Sequence, residues 1–269
     1  MTSFYLEHRQ NRVHCLHFGA GERLLIAVHG YGDRARLFVV LAEALAKNYT
    51  VVAIDLPFHG QTEWHEDTFS KHDMAAIVRQ VLAHEGRERF NLMGFSFGAR
   101  IVQALLPEFI QQLDKLYLLS PDGINTRGMW VAVHTPLWVR RLFARLLRRP
   151  QWFIALLRAG RRLGLVPGLI LNFVQFNLTR PDRFRRTFGC WFALSTFYLR
   201  RRRIKALLHD SGIPVDVYFG AKDEMIRFKT LKKMTDAVPN MQLFLIDEGH
   251  RIVGENLREM MDAAQGEAG

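Results

Sequence analysis

The sequence predicts an α/β fold, a mostly parallel twisted sheet flanked by helices, with a helical insertion late in the chain. Three observations predict it. Short, continuous apolar runs recur along the chain, amphipathic helical patterns separate them, and residues 122–209 have a composition foreign to the rest.

The elements follow in order. Residues 4–17 read as a hairpin at a sheet edge. Strand-length runs come at 24–28 (LLIAV), 50–54 (TVVAI), 90–93 (FNLM), 116–119 (LYLL), 215–219 (VDVYF) and 242–246 (QLFLI). Such runs suit strands buried on both faces, the condition of a parallel sheet. Helical patterns lie between them at 74–84, at 97–106 (ending before Pro107) and at 226–238. Strand–helix alternation of this kind builds an open sheet whose chemistry sits at the strand ends.

At 269 residues the chain is long enough for one large domain with a substantial insertion. With 49% hydrophobic and 23% charged residues, collagen-like and wholly disordered readings fall away. Two cysteines, Cys15 and Cys190, make no disulfide framework and fit a reducing compartment. The N-terminal residues lack the apolar stretch of a secretory signal, and no run of about 18 apolar residues occurs. A cytoplasmic protein is expected.

Charge divides the chain in two. Residues 122–209 hold 18 of the 37 Lys/Arg but only two acids, Asp122 and Asp182. They also hold four of the five tryptophans, Trp130, Trp138, Trp152 and Trp191. The rest of the chain has 19 bases and 24 acids. The shift marks a basic helical unit inserted into a mildly acidic core of residues 1–121 and 210–269. Thr135-Pro136 reads as a capped helix start, after which Trp138, Leu142 and Leu146 share one face and Arg141, Arg145, Arg148 and Arg149 another. Residues 152–157 lead into Arg158, Arg161 and Arg162, and 192–199 run into Arg200-Arg201-Arg202-Arg203. Such helices suit an ordinary solvated surface, or one that meets an anionic membrane surface or an acidic carrier protein. Nucleic acid ranks last, because no recognition motif accompanies the charge.

Gly94-Phe95-Ser96-Phe97-Gly98 matches G-x-S-x-G directly between a strand and a helix pattern. By composition alone the pattern arises in about one chain in ten of this length, so the context carries the argument. A strand that reverses into a helix strains its middle residue and requires small neighbours on either side. Ser96 would stand at the helix N-terminus, where developing negative charge is favoured. Serine needs a base, and the base an orienting acid. Asp223 follows the 215–219 run and His250 follows the 242–246 run, which completes the order Ser, Asp, His.

With these motifs the chain resembles the α/β-hydrolase superfamily of serine hydrolases, in the branch with a lid inserted after the sixth strand. The resemblance covers 1–121 and 210–269. It implies Ser96 as nucleophile, His250 as general base and acid, and Asp223 as the orienting carboxylate. His29-Gly30-Tyr31-Gly32 looks like the oxyanion loop, which makes the backbone N–H groups of Tyr31 and Phe97 the implied oxyanion donors. Residues 55–62 (DLPFHGQT) look like the family's Asp-x-Pro-Gly-x-Gly turn, with Phe58 in place of a glycine.

Competing roles attach to several of these residues. His29 is expected to brace its loop, Asp122 is the alternative acid, Glu224 a solvated neighbour, and Met225 a residue packed near the entrance. His59 and His134 are expected to be loop residues. A serine nucleophile argues against dehalogenase and epoxide hydrolase chemistry, which uses aspartate at this turn. It favours hydrolysis of an acyl ester through an acyl-enzyme. Acyl thioester or carbon–carbon bond hydrolysis by the same residues is the alternative, and a non-catalytic membrane- or partner-binding hydrolase fold is the reading from another class. No cofactor or metal is implied.

Overall fold

A computed structural model describes residues 1–122, 150–164 and 196–266, with scattered positions between 166 and 193. The helix expected from Thr135-Pro136, its arginines up to Arg149, and His134 lie outside the described residues.

The strands are β1 (Thr2–His8), β2 (Asn11–Phe18), β3 (Arg23–Val28), β4 (Tyr49–Ile54), β5 (Phe90–Phe95), β6 (Leu113–Leu119), β7 (Val215–Gly220) and β8 (Met241–Ile246). They form one sheet in the order β1-β2-β4-β3-β5-β6-β7-β8. The β1–β2 and β2–β4 pairs are antiparallel, and the remaining pairs are parallel.

Register positions the site. Val28 pairs with Ile54 and with Gly94, Phe95 with Leu119, Leu119 with Tyr218, and Gly220 with Ile246. The C-terminal ends of the six parallel strands therefore align along one rim. The residues that follow them are His29, Asp55, Ser96, Ser120, Ala221 and Asp247.

Because successive strand side chains point to opposite faces, each strand feeds two cores. Leu24, Ile26 and Val28 join one apolar cluster, and Leu25 and Ala27 the other. A 3-10 turn (Ala35–Leu41) and α1 (Ala42–Leu45) cover the Leu25 side, together with α7 (Glu255–Gly266). The opposite side carries α2 (Lys71–Glu85), α3 (Phe97–Phe109), α5 (Arg201–Ser211) and α6 (Phe228–Thr235). α4 (Pro150–Arg162) lies in the long excursion between β6 and β7, and its Leu156 is exposed.

α2 starts on a capping box in which Ser70 and Asp73 satisfy each other's backbone N–H, and it ends at Gly86 in the left-handed region. α3 runs through Pro107 to Phe109, one turn beyond the expected end. The proline removes only its own N–H bond in this last turn, and Ile110 N–H still reaches the Leu106 carbonyl at 2.9 Å. Residues 198–200 are not helical, so Arg200 caps α5 instead of continuing a helix from 192. Ile204 and Leu208 of α5 are buried in the core beneath it. β8, the edge strand, is only partly covered, with Leu245 exposed.

Candidate active site

Ser96 stands between β5 and α3 with φ 51° and ψ −113°. An L-residue holds this conformation only when its surroundings enforce it. Its N–H donates to the Leu119 carbonyl at 2.9 Å, tying the turn to β6. Both flanking glycines are sterically required. A Cβ on Gly98 would collide with the Val28 carbonyl, and one on Gly94 would lie 2.6 Å from the Ala99 Cα.

The rim brings the Ser96 hydroxyl to His250. Ser96 Oγ lies 2.8 Å from His250 Nε2, and His250 Nδ1 lies 2.8 Å from Asp223 Oδ2. The Asp223 side chain is fully buried, and its other oxygen accepts from the N–H groups of Met225 (2.8 Å) and Ile226 (3.0 Å). A carboxylate only accepts, so Nδ1 must carry the proton and Nε2 is left as the acceptor facing the serine. The turns after β7 and β8 are joined by Lys222 N–H donating to Glu248 O at 2.9 Å, which holds Asp223 and His250 in register.

The loop after β3 approaches from the other side. A Cβ on Gly30 would sit 3.3 Å from the Ser96 Cβ, so this backbone lies against the turn at Ser96. The Phe97 N–H opens α3, where a helix leaves its donors without intrahelical acceptors. His29 and His59 brace the loop in the same manner. His29 Nδ1–H donates to Gly30 O (2.7 Å) and its Nε2 accepts from Leu56 N–H (3.0 Å). His59 Nδ1–H donates to Pro57 O (2.8 Å) and its Nε2 accepts from Gly32 N–H (3.0 Å). Burial lowers both imidazoles, His29 to about 3 and His59 to about 4. Beneath them Asp55 accepts from Ala35 N–H (2.6 Å), Gln61 N–H (2.9 Å) and His14 Nδ1 (2.8 Å). Phe58 keeps φ 68°, the left-handed backbone that suits glycine.

Residues 23–257 match the family described as the alpha/beta hydrolase fold. The chain belongs to the α/β-hydrolase family. An uncharacterized Mycobacterium tuberculosis protein is 27% identical over 248 residues, covering 86% of this hydrolase and 71% of the relative. An uncharacterized hydrolase of Bacillus subtilis is 22% identical over 267 residues, 97% of this chain and 92% of that one. Among solved structures, the thioesterase domain from the curacin biosynthetic pathway superposes with a TM-score of 0.68 at 16% identity, covering 97% of this chain and 99% of that one.

The Asp122 carboxylate is turned to Arg100, 2.6 Å from Nη2, while its backbone N–H donates to Ser96 O at 3.3 Å. Glu224 is exposed. Met225, expected to pack near the entrance, is 74% exposed, while its N–H donates to Asp223 at 2.8 Å. His59 lies on the loop after β4, as expected, but is buried there as a brace, and its partner Gly32 lies 27 positions away in the chain. Sequence reasoning also missed Arg186 and Thr187. The Thr187 hydroxyl lies 2.8 Å from the Tyr31 hydroxyl, and the Arg186 guanidinium lies 5.9 Å from the centroid of the Tyr31 ring. No group of three His, Cys, Asp or Glu among the described residues could hold a metal ion.

Proposed function

We propose that this α/β hydrolase cleaves a small acyl ester, as a carboxylic ester hydrolase, by a Ser96–His250–Asp223 triad. The observation that carries the reading is the pair of 2.8 Å contacts that run from Ser96 Oγ through His250 to Asp223. The Ser96 proton passes to His250 Nε2 as Oγ bonds to the carbonyl carbon, and the N–H groups of Tyr31 and Phe97 hold the resulting oxyanion. Collapse breaks the bond to the leaving group, which takes the proton from His250. Water, deprotonated by the same imidazole, then releases the acid. Buried Asp223 keeps Nδ1–H in place and stabilises the imidazolium between the two transfers. Thioester or carbon–carbon bond cleavage requires the same residues and is the alternative chemistry.

Residues 122–209 are proposed as a lid over this rim. No helix among the described residues is long and apolar enough to cross a membrane. We place the protein in the cytoplasm, with the basic lid free to meet an anionic membrane surface or an acidic acyl carrier. The test is labelling by a fluorophosphonate probe, which phosphonylates an activated serine. Wild-type protein should label and turn over p-nitrophenyl esters, while Ser96→Ala should do neither. Folded wild-type protein that neither labels nor hydrolyses any ester or thioester in a panel graded by chain length supports the non-catalytic binding fold instead.

A further inference from the structure

Beside the proposed catalytic rim lies an open cleft of about 650 Å³ whose lining includes Arg34, Arg36, Arg186 and Arg251. Asp33 is its one acid among the described residues, and it is already paired with Arg251 at 2.7 Å. Arg34 immediately precedes the 3-10 turn and Arg36 lies at its start, and both are exposed. Arg186 reaches in from the excursion after β6. Its Nε is buried and has no hydrogen-bond partner among the described residues. A buried guanidinium N–H without an acceptor is costly, and gathering four like charges around one cleft adds repulsion. The repulsion falls when an oxyanion enters, because guanidinium forks match carboxylate and phosphate geometry.

Two chain neighbours of the proposed site line the cleft. Gly32 in its wall follows the proposed oxyanion donor Tyr31, and Arg251 follows His250. Three of the four arginines come from the α/β core, so this feature is separate from the basic faces of the lid.

We propose that this cleft is an anion subsite, and that the substrate is an acyl ester or thioester carrying a carboxylate or phosphate. This rests on the hydrolase reading for the bond cleaved, but anion binding can be tested without it.

The kinetic experiment compares charged and neutral esters of matched size. Mono-p-nitrophenyl glutarate against p-nitrophenyl valerate places the charge on the acyl side. 4-Acetoxybenzoate against its methyl ester places it on the leaving group. Wild-type protein should favour the anionic member of at least one pair by about tenfold in kcat/KM. Raising the salt concentration should shrink that preference. Arg186→Gln should reduce the charged-to-neutral ratio by a similar factor, and the exposed Arg36→Gln should do the same if the buried change impairs folding. Arg202→Gln, on the exposed start of α5, should leave the ratio alone. Equal rates within both pairs, or the same fall in the α5 control, would overturn the subsite.

Calorimetric titration of the Ser96→Ala protein with glutarate and with inorganic phosphate gives a readout independent of turnover. Binding that is lost in the added Arg36→Gln change supports the cleft, and no binding of either anion overturns it. Cleavage of neutral esters with no charge preference refutes the subsite alone. Loss of all turnover and labelling refutes the hydrolase reading, with the titration still deciding the cleft.

Discussion

Two buried imidazoles hold the loop beside Ser96 by donating at Nδ1 and accepting at Nε2. Protonation would place a second N–H against the Leu56 or Gly32 N–H, and burial already disfavours the charge. Their folded values, about 3 and about 4, lie below the ordinary 6.5. Between those limits the unfolded chain binds more protons, so stability is whole above about pH 6.5 and falls as pH drops toward the folded values. Each imidazole contributes a slope of about 1.4 kcal/mol per pH unit in its window. Urea midpoints measured from pH 7.5 to 4.5 should show this fall, and it should be shallower in His59→Gln. A flat profile in both proteins would exclude neutral imidazoles as the brace. His59→Ala leaves the Gly32 N–H without its acceptor, so we expect a stability loss of about 1–3 kcal/mol and slower phosphonylation of Ser96. Equilibrium unfolding and labelling rates check the two effects. Ser96, Asp223 and His250 were legible because each follows an apolar run, but His59 and Arg186 were not. Their partners Gly32 and Tyr31 are remote in sequence, and no local pattern encodes such contacts. Asp122 also follows a strand, and what separates it from Asp223 is Arg100, which captures its carboxylate from the first turns of α3.

The turn from β5 into α3 depends on how closely the helix approaches the neighbouring strand. Gly98 lies where any Cβ would meet the Val28 carbonyl of β3, so Gly98→Ala must push α3 away from the sheet. We expect a loss of about 1–3 kcal/mol, as for other overpacked sites, together with a displaced Ser96 and slower labelling. Gly254→Ala is the control, since nothing lies within 4 Å of a Cβ there and φ is not positive. Denaturant unfolding of the two variants decides it, and equal losses would mean that the approach at Gly98 is not limiting. The strands themselves could be read because their interiors are continuous apolar runs, a pattern that survives without knowledge of partners. Their limits could not always be read. β6 begins at Leu113, three residues before the apolar run, because Leu113 and Lys115 pair with Phe90 and Asn91 of β5, while the Lys115 side chain, 2.8 Å from Asp216 of β7, interrupts the apolar signal. Likewise the break at 198–200 is invisible in a stretch where apolar and basic residues follow each other without a glycine or proline.

Among the described residues there are one sheet and two cores, and adjacent residues of a single strand supply both. Leu25 and Ile26 of β3 are each fully buried, one facing α1 and α7, the other facing α2 and α3. β3 lies inside the sheet, paired with β4 and β5, so a side chain lost from either face loosens the same hydrogen-bonded strand. The two layers should therefore unfold together although their buried residues form separate apolar clusters. Leu25→Ala and Ile26→Ala should each cost about 2–5 kcal/mol, the range for truncating a large aliphatic side chain in a packed interior. Each should lower amide protection in α3 and α7 alike, because global opening is their shared route to exchange. Native-state hydrogen exchange separates this from independent layers. If Leu25→Ala accelerated exchange in α7 while leaving α3 at its wild-type rate, and Ile26→Ala did the reverse, the sheet would be a partition between two separately stable halves. The rim residues would then owe their alignment to local turns. Coincident loss in both helices would instead tie the Ser96–His250 contact to the integrity of the whole sheet, since Ser96 enters from β5 and His250 from the turn after β8.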